Sequence, residues 1–234
     1  MQSLTPEQQL AKMRADWDAR ARENARYYVA TQQELWSDDE FIRSGESTVS
    51  EQIRNDMINV CQGKNPAEMR ALEIGCGAGR VTRALAGLFG EVFAVDISGE
   101  MIAQAAGFLK DRPNARVFKN NGTDLSVLNA HLPDGAVDFA FSTIVFQHIP
   151  SREVIETYVR EVNRLLRPGG LFKFQVQGYV EQEGIAYEST PDDTWLGVTF
   201  SDEQAIALAE ATGFEPRHRH GAGDQYFWLW FFKR

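Results

Sequence analysis

The sequence contains little cysteine, little histidine and few basic residues, and it lacks long apolar runs. Two cysteines and four histidines occur among 234 residues. The chain has 24 Lys and Arg residues and 33 Asp and Glu residues, which gives a formal net charge of −9. Two cysteines without paired spacing make neither a disulfide framework nor a zinc site. Because nucleic-acid affinity rests on Lys and Arg at phosphates, the acidic balance argues against DNA as a partner.

Targeting and metal-binding patterns are also missing. No apolar run approaches the roughly 20 residues that a membrane-spanning helix needs. Residues 1–6 lack the basic and then apolar pattern of a secretory signal. His218 and His220 share a strand face without a third ligand, so no metal site is predicted. We expect a cytoplasmic protein that stays off the membrane, and no residue pattern indicates its oligomeric state.

The first 65 residues show helical periodicity and no strand pattern. Residues 5–8 have the composition of a capping box with proline at the first helical position. Apolar residues then recur every three or four positions as far as Tyr28, and two shorter helical patterns follow, the second running from 49 to 60. We interpret residues 1–65 as an N-terminal helical cap that precedes a main domain over 66–234.

From Arg70 onwards, apolar strand patterns alternate with helical patterns, which predicts an α/β fold with a parallel sheet and helices on both faces. A helix capped at Ser201 and a closing hairpin follow the fifth strand. The last strand, 226–232, is apolar on both faces, so it belongs in the interior of the sheet. The five parallel strands are predicted at 71–74, 91–95, 116–119, 137–141 and 171–176.

Residues 178–197 are polar and aromatic without clear periodicity. A segment of this length inside a compact domain is usually functional. We interpret it as a substrate or lid loop, with Tyr179 and Trp195 as candidate substrate-binding residues.

The rest of the chain is organised around the join between the first strand and the helix after it. This join reads Glu73-Ile-Gly75-Cys-Gly77-Ala-Gly79 and is followed by Arg80. Alternating glycines permit positive φ and let a ligand lie against the backbone. A dinucleotide-binding turn needs Gly or Ala at position 80, where this chain has Arg, whereas Glu73 can accept a hydrogen bond from a cationic amino group. A purely structural turn is the alternative at this point.

Asp96 ends the second strand, 21 residues beyond Gly75. A carboxylate at that place can accept both hydroxyls of a ribose, and ligands of such sheets bind at the carboxyl ends of the strands. The alternative is that Asp96 merely caps the next helix.

The string from Glu73 to Gly79 resembles motif I of the class I S-adenosylmethionine-dependent methyltransferases. Asp138 with the apolar run after it resembles motif IV, and Leu-Leu-Arg-Pro-Gly-Gly-Leu over 165–171 is common in this family. The resemblance covers roughly 66–234. It implies a Rossmann-like, seven-stranded, mostly parallel sheet with an antiparallel last strand beside the fifth. The Asn/Asp-Pro-Pro-aromatic string of nucleic-acid amino methylases is missing, which points to small-molecule acceptors.

The resemblance implies S-adenosylmethionine as cofactor. Glu73 and the glycine turn would hold the methionyl part, Asp96 the ribose, and Ile97 the adenine face. Asn121 stands where the family usually has a carboxylate that accepts from the adenine amine. The complete set of predicted cofactor-binding residues is Glu73, Gly75, Cys76, Gly77, Gly79, Arg80, Asp96, Ile97, Met101, Asn121, Gly122, Thr123, Ser142 and Thr143.

Relatives of this fold often close their N-terminal helices over the cofactor, which makes Tyr28 and Trp36 candidate substrate-binding residues. The implied reaction is in-line methyl transfer to an O or N atom of a small molecule. His148 follows the fourth strand, and an imidazole titrates near neutrality, so His148 is the candidate general base. A packing role for His148 is the alternative.

Three other functions stay open. One is methylation of a protein or RNA, and another is a non-catalytic S-adenosylmethionine-binding module. The third is a nucleotide-dependent oxidoreductase, against which Glu73 and Arg80 both count.

Overall fold

A mixed sheet organises the computed structural model, which describes residues 5–178 and 194–234. Its spatial order is β3-β2-β1-β4-β5-β8-β7, with the short β6 paired to β5 off this path. The strands are β1 Arg70–Ile74, β2 Glu91–Asp96, β3 Ala115–Lys119, β4 Val137–Ser142, β5 Leu166–Gly178, β6 Thr199–Phe200, β7 Phe214–His220 and β8 Phe227–Lys233.

The first five strands are parallel, and β8 lies antiparallel beside β5 with Leu171 opposite Phe232. The prediction of a Rossmann-like sheet with an antiparallel last strand beside the fifth is confirmed. The described residues contain eight strands rather than seven, because β6 adds a two-residue pairing with Gln177 and Gly178. A pairing this short leaves no periodicity in the sequence.

The fifth strand was predicted to begin at residue 171, but β5 begins at Leu166 and includes the Arg-Pro-Gly-Gly stretch over 167–170. Leu166 pairs with Val137 and Leu171 with Phe139, so the register shifts around these four residues. Gly169 has a φ of 72°, which lets the extra residues bulge out while the strand continues on either side.

Seven helices occur in the described residues: α1 Pro6–Val29, α2 Asp38–Gln52, α3 Met57–Cys61, α4 Arg80–Ala86, α5 Gly99–Phe108, α6 Arg152–Leu165 and α7 Asp202–Ala211. The helix predicted over 49–60 is divided between the end of α2, a 3₁₀ turn at Arg54–Asp56 and α3. None of the helices in the described residues is both long and apolar enough to cross a membrane.

Helix α1 is interrupted at Asn24, whose φ of −163° is extended. The Asn24 side-chain oxygen accepts the N–H of Tyr27 at 3.1 Å, so this residue caps a fresh helical turn. The last residues of α1 therefore follow a new direction, and this places Tyr28 and Val29 at the cavity described below.

The N-terminal helices pack on the helices that follow β1 and β2. Asp18 of α1 accepts from the Ser98 hydroxyl at 2.6 Å, and Arg22 pairs with Glu100 of α5 at 3.0 Å. Helix α2 lies against α4, and Gly45 permits that approach, since a Cβ there would collide with the carbonyl group of Arg80.

Candidate active site

A cavity lies at the carboxyl ends of β1, β2 and β4, under α1. Clefts in this part of an open α/β sheet are where ligands bind. Nine of the predicted cofactor-binding residues line it: Glu73, Gly75, Cys76, Gly77, Arg80, Asp96, Ile97, Met101 and Thr143.

The glycine turn has the backbone that its sequence predicts. Gly75, Gly77 and Gly79 have φ values of 75°, 51° and 87°. A Cβ on Gly75 would collide with the side chain of Val145, and one on Gly77 would collide with that of Val29. Gly79 lies outside the cavity lining, at the N-cap of α4.

Glu73 is a buried carboxylate at the end of β1, with 3% of its surface exposed. The Thr82 hydroxyl donates to one of its oxygens at 2.6 Å. Burial raises the pKa of Glu73 to about 7, against the opposing effects of the Thr82 hydrogen bond and the Arg80 charge. A cationic group bound beside Glu73 would favour the ionised carboxylate.

Asp96 is the second buried carboxylate, at the end of β2 with 9% exposure. Its two oxygens accept the N–H groups of Gly77 at 2.9 Å and Ser98 at 2.8 Å. Burial raises the pKa of Asp96 to about 6, although these N–H groups act in the other direction. Each carboxylate oxygen keeps lone-pair capacity for a ligand hydroxyl.

Arg80 lines the cavity and also ties α4 to α2. Its guanidinium donates to the Ser44 carbonyl at 2.8 Å and to the Thr48 hydroxyl at 2.9 Å. Burial lowers the pKa of Arg80, and the Glu73 charge opposes this. The guanidinium supplies positive charge at the cavity wall beside Glu73.

The predicted adenine contacts after β3 lie elsewhere. Asn121 is exposed, and its side-chain oxygen accepts the N–H groups of Thr123 at 2.8 Å and Asp124 at 2.9 Å. Asn121, Gly122, Thr123 and Ser142 all lie outside the cavity lining. Gly122 nevertheless packs against Ile97, which lines the cavity.

Asn120 lines the cavity, although it was not among the predicted cofactor-binding residues. It is 5% exposed, and its amide nitrogen donates to the Tyr158 hydroxyl at 2.7 Å. Its side-chain oxygen is buried and has no hydrogen-bond partner in the described residues. An unpaired buried acceptor that lines a cavity suits a ligand N–H. The available signal was its place immediately after β3, one residue beyond the Lys119 that pairs with Asp96.

An aromatic cluster forms the other wall. Trp17 stacks on Trp195 with ring centroids 6.2 Å apart and meets His148 edge-on at 5.3 Å, while Tyr28 meets Trp195 at 6.3 Å. Trp17, Tyr28 and His148 line the cavity. Trp36 lies outside the lining, where it packs on Phe41.

Tyr179 and most of the predicted loop over 178–197 lie outside the described residues. The end of that loop is described, and it contacts α1. The Thr194 hydroxyl donates to Asp16 of α1 at 2.7 Å, and the Arg20 guanidinium lies 4.8 Å from the Trp17 ring centroid and 5.2 Å from that of Trp195.

His148 is buried and has a defined orientation. Its Nδ1 donates to the Trp195 carbonyl oxygen, because a carbonyl only accepts. The neutral ring then has its lone pair on Nε2, which lies 3.4 Å from the Gln147 amide nitrogen. A neutral imidazole oriented through one nitrogen and basic at the other is the form that a general base requires.

The fold and this site together define a class of protein. The sheet is doubly wound, and the cavity lies beside β1 between β2 and β4. A glycine-rich turn and a buried acid at the end of the next strand line this cavity. Cavities of this kind bind nucleotide-type ligands. Residues 72–174 match the model of the methyltransferase domain family. This match confirms the resemblance to class I methyltransferases that was drawn from the motifs.

Several known proteins resemble the chain. A reducing polyketide synthase of Botryotinia fuckeliana is 31% identical over 169 residues, which cover 65% of this chain and 6% of the synthase. Phosphoethanolamine N-methyltransferase 2 of Caenorhabditis elegans is 35% identical over 114 residues, which cover 47% of this chain and 25% of that protein. The chain thus spans a quarter or less of these two curated relatives.

A solved structure shares the fold along the whole chain. Geranyl diphosphate C-methyltransferase from Streptomyces coelicolor, bound to Mg²⁺, geranyl-S-thiolodiphosphate and S-adenosylhomocysteine, aligns over 100% of both chains with a TM-score of 0.69 and 13% identity.

Proposed function

We propose that this protein transfers a methyl group from S-adenosylmethionine to an O or N atom of a small molecule. The observation that carries the proposal is the pair of buried carboxylates, Glu73 and Asp96, on either side of a glycine turn that lines one cavity. The structural neighbour from Streptomyces holds S-adenosylhomocysteine, which supports this choice of cofactor.

The lining residues fit the parts of that cofactor. In our proposal Glu73 accepts from the amino group, Asp96 from the ribose hydroxyls, and the unpaired Asn120 oxygen from the adenine amine. Ile97 and Met101 supply apolar contacts for the ring. The Arg80 guanidinium balances the cofactor carboxylate.

S-adenosylmethionine supplies a methyl group already activated by its sulfonium leaving group. The protein therefore contributes alignment and exclusion of water. Trp17 and Tyr28 line the cavity and pack on Trp195, and these two aromatic side chains would hold the acceptor. For a hydroxyl acceptor, the hydroxyl would replace the Gln147 amide nitrogen, which lies 3.4 Å from His148 Nε2, and Nε2 would take the displaced proton. An amine acceptor would need alignment alone.

Calorimetric titration with S-adenosylmethionine, S-adenosylhomocysteine and NAD tests this function. We expect micromolar affinity for the two sulfur ligands and none for NAD, followed by methyl transfer in a screen of small-molecule hydroxyls and amines. Binding of NAD alone would overturn the proposal. Transfer only to protein or RNA would correct the acceptor class.

Replacing Asp96 by alanine is expected to weaken binding of S-adenosylhomocysteine by about 1–3 kcal/mol, the usual loss for hydrogen bonds to a charged group. The matched control is Asp138→Ala. Asp138 is another buried carboxylate, but it lies at the amino end of β4, where it accepts from Lys64 at 2.5 Å and from the Arg70 N–H at 3.0 Å. The control should lose thermal stability and keep its affinity. Equal affinities for Asp96→Ala and the wild type would remove the ribose role.

Cofactor affinity is also expected to depend on pH through Glu73. The free protein has a Glu73 pKa of about 7, and a bound amino cation lowers it, so binding releases a proton below pH 7. Affinity for S-adenosylhomocysteine should therefore fall by up to about tenfold per pH unit as the pH drops from 7 to 6. Below about pH 6, protonation of Asp96 adds to this loss.

Glu73→Gln is the control for the pH effect. Its affinity should be lower than that of the wild type at pH 8, and the decline between pH 7 and 6 should be absent. If Glu73→Gln keeps that decline, another group is responsible. Calorimetry in buffers of different ionisation enthalpy measures the released proton directly.

A further inference from the structure

A buried chain of side chains connects the turn after β4 to His148. The Ile144 N–H donates to the Gln175 side-chain oxygen at 2.9 Å, and the Gln175 amide nitrogen donates to the Gln147 side-chain oxygen at 2.5 Å. The Gln147 amide nitrogen faces His148 Nε2 at 3.4 Å, and Nδ1 donates to the Trp195 carbonyl. Gln175 is fully buried in β5, between Phe174 and Val176.

The direction of this chain is fixed at both ends. The Ile144 N–H can only donate, so Gln175 must present its oxygen there and its nitrogen to Gln147. Gln147 must then present its nitrogen to His148. At the far end the Trp195 carbonyl can only accept, which leaves Nε2 of the neutral ring as an acceptor. The two ends independently require the same orientation of both amides.

Ile144 has a backbone conformation that needs support. Its φ of 56° lies in the left-handed region, which a β-branched residue rarely adopts. Such a conformation is strained and persists only where the surroundings enforce it. The only side chain of the described residues that hydrogen-bonds the Ile144 N–H is that of Gln175.

The same turn shapes the cavity. Thr143, Ile144 and Val145 all line it, and Val145 lies where a Cβ on Gly75 would be. The conformation of Ile144 therefore sets how the β4 turn meets the glycine turn. It also presents the Ile144 side chain, 38% exposed, at the cavity wall.

We propose that Gln175 is a positioning residue for methyl transfer, which holds the Ile144 turn against the glycine turn and orients His148 through Gln147. This inference rests on the proposed cofactor site, because the turn acts on ligands through that cavity. Gln175 itself lies outside the cavity lining and would touch neither the cofactor nor the acceptor.

The test combines two substitutions with S-adenosylhomocysteine as the probe. Gln175→Met keeps the volume and removes the side-chain hydrogen bonds to Ile144, Gln147 and the Val176 carbonyl, and we expect it to lower affinity about tenfold. Ile144→Gly adopts a positive φ without support. The double variant Gln175→Met with Ile144→Gly should therefore bind the probe with an affinity within about threefold of that of Ile144→Gly alone. A merely structural role for Gln175 would give no such rescue.

Gln177→Met is the matched control, since Gln177 is buried two residues further along β5 and lies outside the cavity lining. It should bind the probe like the wild type. Wild-type affinity in Gln175→Met, or a folded double variant as weak as Gln175→Met, would overturn the proposal.

A second measurement needs neither a variant nor a ligand. Nitrogen-15 NMR of the wild-type histidine rings should find the His148 proton on Nδ1 and none on Nε2 at pH 8. A proton on Nε2 would require Gln147 to present its oxygen, which breaks the chain and overturns the proposal. If the wild type fails to bind the probe while this tautomer is found, the cofactor assignment fails and the chain of hydrogen bonds stands.

Discussion

Replacing Gly75 by alanine is expected to lower the affinity for S-adenosylhomocysteine by at least about 100-fold, which corresponds to about 2.8 kcal/mol. Two effects add. Alanine is strained at the Gly75 φ of 75°, and its Cβ would collide with the Val145 side chain, so the glycine turn must move away from the ligand. Calorimetric titration measures the loss, and thermal unfolding shows that the variant is folded.

Gly107 provides the control for this substitution. It lies in α5, where an added Cβ meets nothing within 4 Å. Gly107→Ala should raise stability by about 0.5–1 kcal/mol and leave affinity unchanged. The double variant Gly75→Ala with Val145→Ala should recover part of the lost affinity. Binding by Gly75→Ala within threefold of that of the wild type would contradict the close approach of ligand and backbone.

Replacing His148 by alanine is expected to reduce turnover of a hydroxyl acceptor by about 100-fold or more, within the range of general-base catalysis. The cofactor should bind nearly as before, because no cofactor contact is assigned to this ring. The measurement is kcat with the acceptor from the screen, beside the calorimetric affinity for S-adenosylhomocysteine. An amine acceptor that enters unprotonated should be much less affected.

His131→Ala serves as the comparison, since His131 is exposed and packs on Phe118 with ring centroids 4.7 Å apart. It should change neither kcat nor affinity. A large loss of folding stability in His148→Ala, with turnover preserved in the remaining folded protein, would assign His148 a packing role.

Features with a strong local signal could be predicted from the sequence. The ends of β1 and β2 are marked by apolar runs that carry a carboxylate at the last position or the one before it, Asp96 and Glu73 respectively. The caps at Ser151 and Ser201 are polar residues before helical periodicity, and the structure has helices beginning directly after both. Such features depend on neighbours within a few residues of the chain.

Features that depend on distant packing were harder to predict. The motif aligned Asn121 with the adenine position, whereas the structure places Asn120 at the cavity, a difference of one residue after a strand where successive side chains change face. Trp36 packs on Phe41 of α2 rather than lining the cavity. The packing of α2 against the end of α1 determines this contact, and no local sequence pattern predicts it. Gln175 is one of three polar residues at alternate positions of β5, and no local pattern indicates that its partners Ile144 and Gln147 come from the turn after β4.

Helix α1 has a consequence for the timing of the reaction. It lies over the cavity and is fastened to α5 by Asp18 with Ser98 and by the ion pair between Arg22 and Glu100. We expect a ligand under this helix to exchange with solvent faster when these contacts open. We expect product release to be slower than diffusion and to limit the rate of the catalytic cycle. Because the Arg22–Glu100 pair is exposed and screened by salt, exchange should quicken as ionic strength rises.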